Sequence, residues 1–467
     1  MQPLTRDELQ TGIQVALRAW HDLAGTSANL LEYLLLVQGE REKMNGDSPT
    51  TQRLATNQVL MKGIEILRKQ DHVGADILSL RFMDEDTVLM VGRKLNLSED
   101  QVKRRQRGAI VNLNQIIWEQ EMALRQQRAH HLQAHLMPSD YTQLFGIDEN
   151  CQQLLTYFHH QSAPWVIAVV GIGGIGKTAL ADSVVRQLIH HFIYEQIVWL
   201  QVDPSQARSP SETLDNLLNQ LAAKLCLDLS PQVSVQQRNR QLRQTLKTAA
   251  YLIVIDNLEA EADAAFMVDV LNDLANPSKF LLTSRVRLPA SASALSLVLA
   301  ELPLMDALAL IRHQAQAAGL PDLVAAPQNE LQAIYEVTGG NPLAIKLVVG
   351  LTAVYPLPHL LADLKEAKTH QIAELYRRIY WQAWHSLSPR SQSLLEMMPL
   401  TAGIGATPGQ LQAMSELGEG EVWSAISELV NRSLLEVRGT VWERRYTIHR
   451  LTESFLCTEI IRWPEGQ

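Results

Sequence analysis

The segment Gly171-Ile172-Gly173-Gly174-Ile175-Gly176-Lys177-Thr178 satisfies G-x-x-x-x-G-K-[ST] at every fixed position. Glycines there let successive backbone N–H groups turn inward around a phosphate, and the helix that begins at Ala179 adds its N-terminus to the same anion. Lys177 supplies a point charge for the β- and γ-phosphates, and the Thr178 hydroxyl supplies a ligand for Mg²⁺. Downstream, the apolar run Leu252-Ile253-Val254-Ile255 ends in Asp256, a carboxylate placed to order the metal shell. Asn257 follows it, and an amide cannot accept a proton from attacking water. Glu259 is the nearest acid that could replace it, so hydrolysis is expected to be slow. A third run, Leu281-Leu282-Thr283-Ser284, ends in Arg285, whose guanidinium fork suits a γ-phosphate. Asp256 and Arg285 are the candidate catalytic residues, and Thr178 and Asp256 the candidate metal ligands.

The elements around these residues follow from their patterning. Val166 to Val170 is a β-branched apolar run that leads straight into the glycine loop. Further runs lie at Ile197–Val202, Leu252–Ile255, Phe280–Thr283 and Leu297–Leu299, with helical stretches between most of them. Strands that read as continuous apolar runs are covered on both faces, which predicts an α/β domain with a parallel sheet over residues 136–304. Residues 1–135 are expected to be all helical, with a polar break at Gly46-Asp47-Ser48-Pro49 and a polar linker near 126–140. Residues 305–375 are again helical. In 376–467, three helices and two strand candidates, Leu434–Val437 and Arg445–Ile448, predict a winged helix.

Within the amino-terminal part, residues from about 75 to 115 resemble the helix-turn-helix of sigma-factor region four. Asp86–Leu95 would be the first helix, Asn96-Leu97 the turn, and Ser98 onward the second helix, opened by a Ser98/Gln101 capping box. Lys103, Arg104, Arg105 and Arg107 on that second helix suit DNA phosphates and guanine edges. The nearby acids Asp84, Glu85, Asp86, Glu99 and Asp100 dilute the field. Contact with DNA and contact with a partner protein both remain open for this helix. His130, His131 and His135 lack a carboxylate partner and read as a solvated helix, as do His159-His160 and His190-His191.

Composition sets the bounds. A chain of 467 residues allows roughly three domains. With 46% hydrophobic and 19% charged residues and a net charge of −9, it does not read as a coat for nucleic acid or membrane. Cys151, Cys226 and Cys457 are far apart and unpaired in spacing, which fits a reducing compartment. The start lacks a signal-peptide pattern, and the apolar stretch Leu30–Val37 is broken by Glu32 and far short of ~20 residues. A cytoplasmic protein without a membrane span is expected.

Taken in order, the segments over residues 141–460 resemble the STAND class of signal-transduction P-loop NTPases, in its NB-ARC branch. Phe145-Gly146-Ile147-Asp148-Glu149 is similar to the family's lead-in around adenine, with Ile147 where arginine is usual. Thr338-Gly339-Gly340-Asn341-Pro342-Leu343-Ala344 resembles its G-x-P segment, in which Pro342 and Leu343 would meet the nucleotide base. Tyr446-Thr447-Ile448-His449-Arg450 stands where the family carries Met-His-Asp, so that His449 would sense the β-phosphate of ADP while Arg450 replaces an acid. The resemblance implies a switch from a closed ADP-bound monomer to an open ATP-bound homo-oligomer. It implies an upstream trigger and an effector or adaptor protein reached through the amino-terminal domain, with bacterial defence or stress signalling as the setting. At most, a slow ATPase is implied.

Overall fold

A computed structural model describes residues 5–22, 30–44, 48–134, 136, 138–139, 141–160, 162–202, 209–227, 234–258, 261–285, 288, 294–368, 372–401, 404–440 and 443–461, without the side chains of 261–265, 363, 365–368, 372–375, 378 and 450. His135, Glu259 and the Arg450 side chain therefore lie outside the described residues. The chain divides into two compact units: Met1–Gln133 with His190–Phe192, and the remainder.

The first unit is helical. Its helices are α1 (Arg6–Arg18), α2 (Leu35–Lys43), α3 (Pro49–Gln70), α4 (His72–Leu78), α5 (Val88–Leu95) and α6 (Glu99–Ala134). Local chemistry fixes the starts: Thr5 and Glu8 form a reciprocal capping box at α1, Ser48 caps α3 ahead of Pro49, and Asp71 caps α4. Leu9, Ile13, Leu60, Ile64, Leu113 and Ile117 build the main core at the three- and four-residue spacing of packed helices. A smaller cluster of Ile77, Val91 and Val102 holds α4, α5 and the start of α6.

Between α5 and α6 the chain turns on Asn96, which is left-handed at φ 54°. The Leu97 N–H donates to the Gly92 carbonyl at 2.9 Å, and Ser98 and Gln101 bond each other's backbone N–H. Two boundaries differ from the sequence expectation. The first helix starts at Val88 rather than Asp86, because Thr87 caps it and the buried Asp86 carboxylate takes the Lys94 ammonium at 2.7 Å. The polar stretch 126–134 is the end of α6, where Ala129 and Leu132 are buried.

In the second unit a sheet of β1 (Val166–Val170), β2 (Gln196–Gln201), β3 (Tyr251–Leu258), β4 (Lys279–Ser284) and β5 (Leu295–Val298) is parallel throughout, in the order β2-β3-β4-β1-β5. It is accompanied by α7 (Asp148–His159), α8 (Lys177–Ile189), α9 (Pro210–Lys224), α10 (Val235–Thr248) and α11 (Glu261–Leu274). All residues of β1 and β4 are buried, as strands covered on both faces must be. Because the five strands are parallel, their carboxyl ends, with Asp256 and Ser284 among them, lie along one edge of this sheet.

The helical remainder runs through α12 (Leu304–Ala317), α13 (Pro321–Ala325), α14 (Gln328–Thr338), α15 (Pro342–Leu351), α16 (Leu357–Lys368), α17 (Ile372–His385), α18 (Pro389–Met397), α19 (Pro408–Ser415) and α20 (Glu419–Asn431). The antiparallel pair β6 (Glu436–Gly439) and β7 (Arg444–Thr447) follows, and then α21 (Arg450–Phe455). Ala406 bridges to Tyr446 beside the hairpin. One continuous core spans Leu302 to Leu456, so the segments expected as separate units at 305–375 and 376–467 share their buried interior. Among the described residues, no helix is long and apolar enough to cross a membrane.

Candidate functional site

The glycine loop bridges the end of β1 and the start of α8, and the sequence dictates its path. Gly174 and Gly176 take φ values of +74° and +103°, where side-chain-bearing residues are strained. The Gly171 N–H donates to the Ser284 carbonyl at 3.2 Å, tying the loop's first residue to β4. Ile175 is buried and pins the middle of the loop, while Ala179 lies in the first turn of α8. The Lys177 ammonium curls over this loop and donates to the carbonyls of Gly171 at 2.8 Å and Ile172 at 3.0 Å. A cation is thus held against the glycine loop, where an anionic oxygen cluster would meet it.

Asp256 closes the continuous buried run Leu252–Asp256 of β3 and is 4% exposed. Its Oδ1 accepts from the Thr178 hydroxyl at 2.9 Å and from the Thr283 hydroxyl at 2.5 Å. The Thr283 Oγ1 in turn accepts from the Asn257 N–H at 2.8 Å. Burial pushes the Asp256 carboxyl above the usual carboxylate range, against the two hydroxyl bonds and the positive charges of Lys177 and Arg438. A hard cation would restore the ionised form. Thr178 and Asp256 fit Mg²⁺, which is held by one or two protein oxygens and completes its shell from phosphate and water. No group of three or more His, Cys, Asp or Glu that could hold a metal by themselves occurs among the described residues.

Three further elements reach the loop. A Cβ built on Gly173 would stand 3.3 Å from Leu451 Cδ1 and 3.6 Å from Arg285 Cζ, so α21 and the Arg285 guanidinium both lie over the glycines. His449 caps α21: its Nδ1 accepts from the Leu451 N–H at 3.1 Å, which in the neutral ring leaves the proton on Nε2. Pro342 takes the first position of α15, and the Leu343 N–H donates to the Gly174 carbonyl at 3.2 Å. Gly146, at φ +63°, packs where a Cβ would meet Leu302 at 2.8 Å, and the Leu302 N–H donates to the Gly340 carbonyl at 3.0 Å. Leu302 thereby joins the lead-in at Gly146 and Ile147 to the turn before α15. Phe145 sits edge-on to His313 at 5.5 Å between ring centres.

The residues singled out between 146 and 449 therefore assemble along one edge of the sheet. Lys103, Arg104, Arg105 and Arg107 belong to the other unit, where all four are exposed on α6. Sequence reading gave no role to Thr283 or Asn341. Thr283 becomes visible only through the strand register, in which β4 lies beside β3 across an irregularity between Ile255 and Leu258.

Comparison with known proteins agrees with this geometry. Residues 147–296 match the NB-ARC domain family. The Regulatory protein AfsR of Streptomyces griseus is 27% identical over 305 residues, which cover 63% of this chain and 30% of that protein. The ToMV resistance protein Tm-2(2) of Solanum lycopersicum is 23% identical over 367 residues, covering 69% and 40%. A solved STAND protein with a tetratricopeptide repeat sensor from Pyrococcus horikoshii aligns with a TM-score of 0.46 at 16% identity, over 71% of this chain and 44% of that one. The chain spans less than half the length of each of these relatives. With the P-loop, the strand-end aspartate and the family match on the same residues, the chain carries an NB-ARC domain, a P-loop nucleotide-binding module, over residues 147–296.

Proposed function

We propose that the second unit is an ADP/ATP-controlled signal-transduction switch. ADP is held by the loop Gly171–Thr178, by Gly146, Ile147, Pro342 and Leu343 around the base, and by the His449 Nε2–H at the β-phosphate. ATP with Mg²⁺ on Thr178 and Asp256 displaces the segment of 376–467, a winged helix in this reading, and frees the chain to form homo-oligomers. Arg285 takes the γ-phosphate, and Asn257 beside Asp256 keeps hydrolysis slow. The first unit passes the signal to an effector or adaptor protein. Bacterial defence or stress signalling is the proposed setting, in the cytoplasm.

One observation carries this reading: α15 and α21, from sequence more than 160 residues downstream, both touch the loop at Gly173 and Gly174. A bound nucleotide is then in a position to report its phosphates to both. The test is to denature the purified protein and identify the released nucleotide by chromatography. Stoichiometric ADP is expected from the wild type and none from Lys177→Ala. Equal nucleotide from both proteins would exclude the loop as its site.

A second reading makes the same switch a regulator that binds DNA through α6. It is supported by the exposure of Lys103, Arg104, Arg105 and Arg107 on the helix after the Asn96 turn, and one relative is named a regulatory protein. Four phosphate contacts would give a salt slope of about −3.6 on duplex DNA. Reversing Arg104 and Arg105 to glutamate should abolish retention of genomic fragments by the wild type; fragments retained equally by both exclude α6 as the reader.

A further inference from the structure

Asn341 is 3% exposed and uses both ends of its amide. Its Oδ1 accepts from the N–H groups of Leu343 at 3.0 Å and Ala344 at 3.2 Å, which caps α15. Its Nδ2 donates across to the Gly173 carbonyl at 3.1 Å. The amide cannot be turned round, because that would set its NH₂ against two backbone N–H groups. The Leu343 N–H also donates to the next loop carbonyl, Gly174, at 3.2 Å. Two successive P-loop carbonyls are therefore held by the first turn of α15.

The consequence lies on the opposite side of each peptide. In a trans peptide the carbonyl of one residue and the N–H of the next point in opposite directions. Holding the carbonyls of Gly173 and Gly174 toward α15 turns the N–H groups of Gly174 and Ile175 away from it. These amides belong to the set that a phosphate loop aims at its anion. The close approach requires glycine: a Cβ at Gly174 would stand 2.7 Å from Leu343 Cβ, on a backbone already at φ +74°. Loop and helix are thus fitted to each other at two hydrogen bonds and one bare Cα.

We propose that Asn341 is a positioning residue for the nucleotide. It presets the Gly174 and Ile175 amides for phosphate, and makes affinity depend on the seating of α15. The assignment rests on nucleotide binding at the P-loop. It differs from the contact with the base proposed for Pro342 and Leu343, since Asn341 acts through the loop backbone.

Asn341→Ser and Asn341→Asp separate this role from capping, because both keep a capping acceptor and lose the Nδ2 donor. Three quantities are measured on the full chain: ADP affinity of nucleotide-free protein by calorimetry, its melting temperature, and hydrogen exchange over residues 171–178. Asn341→Ser is expected to weaken ADP about five- to tenfold, the effect of one hydrogen bond. It should also speed exchange at Gly174 and Ile175 while leaving the melting temperature close to wild type. Asn341→Asp should lose more, since a carboxylate would face the Gly173 carbonyl. Wild-type affinity with wild-type loop exchange in Asn341→Ser overturns the proposal. So does a lowered melting temperature with unaltered loop exchange, which reduces Asn341 to a cap. A wild-type protein that binds no ADP would instead remove the nucleotide reading on which the assignment rests.

Discussion

Two charged side chains are buried on adjacent strands, and they have opposite tasks. Asp256 stands at the end of β3 that faces the glycine loop. Lys279 opens β4, in register with Leu252, and so lies four residues, or about 13 Å, back along the sheet. Lys279 is 2% exposed, and its ammonium donates to the carbonyls of Tyr157 at 2.6 Å and Ser162 at 2.9 Å and lies 5.4 Å from the centre of the Trp165 ring. The lysine closes the carbonyl end of α7, where the helix dipole favours a cation, yet burial pushes its pKa down to about 8. The unfolded chain therefore holds this proton up to about pH 10.5 while the folded one releases it near 8. Between those values the unfolded state binds more protons, so stability contributed at this site rises with pH. Denaturant titrations of wild type and Lys279→Met from pH 7 to 10.5 should show their difference moving in favour of wild type across that window. A difference that stays constant would mean that the ammonium is solvated. Sequence reading passed over Lys279 because a lone lysine at a strand start has no signature. The P-loop was legible because all its parts are contiguous.

At the scale of elements, the contacts that matter most join helices distant in sequence. α2 begins at Leu35 without a side-chain cap of its own, since Leu34 precedes it. Glu121, in the middle of α6 and 1% exposed, supplies the missing acceptor: Oε1 takes the Leu35 N–H at 3.0 Å and Oε2 the Leu36 N–H at 3.1 Å. Arg125 balances the charge one turn later at 2.6 Å. Replacing Glu121 with alanine leaves two helix-end N–H groups without partners and should destabilise the first unit by about 2–4 kcal/mol. Hydrogen exchange over residues 35–43 should rise with it, and Glu121→Gln should lie between. Unchanged exchange there in Glu121→Ala would refute the cap. This contact also explains the limits of the sequence reading. Alternating strands and the Asn96 turn were visible because their signals repeat within a few residues. That 126–134 packs as the end of α6 was not, because its only buried positions there, Ala129 and Leu132, stand among polar neighbours that read as a solvated helix or linker. Likewise Asn341 lay inside a recognised segment, but its partner Gly173 is 168 residues away.

For the whole molecule the question is how much work the nucleotide can do alone. Under the proposed switch, α21 and α15 both rest on the glycine loop, and ATP must release the His449 end of that arrangement. Losing one charge-assisted contact changes the balance by about 1.5–3 kcal/mol. Inverting a population from 1:99 to 99:1 requires about 5.5 kcal/mol. Starting from about 1% open, the smaller change gives roughly 10% open and the larger roughly 60%. ATP should therefore prime the chain without converting it completely, and the remainder must come from a trigger or from contacts between copies. Light scattering of full-length protein loaded with a non-hydrolysable ATP analogue should show a mixture whose assembled fraction grows with concentration. Full conversion at low micromolar concentration, with no added partner, would show that the nucleotide contacts carry far more differential energy than His449 can account for. His449→Ala separates these cases: if the histidine holds the closed state, the ADP-loaded variant should already assemble to an extent that the ADP-loaded wild type does not.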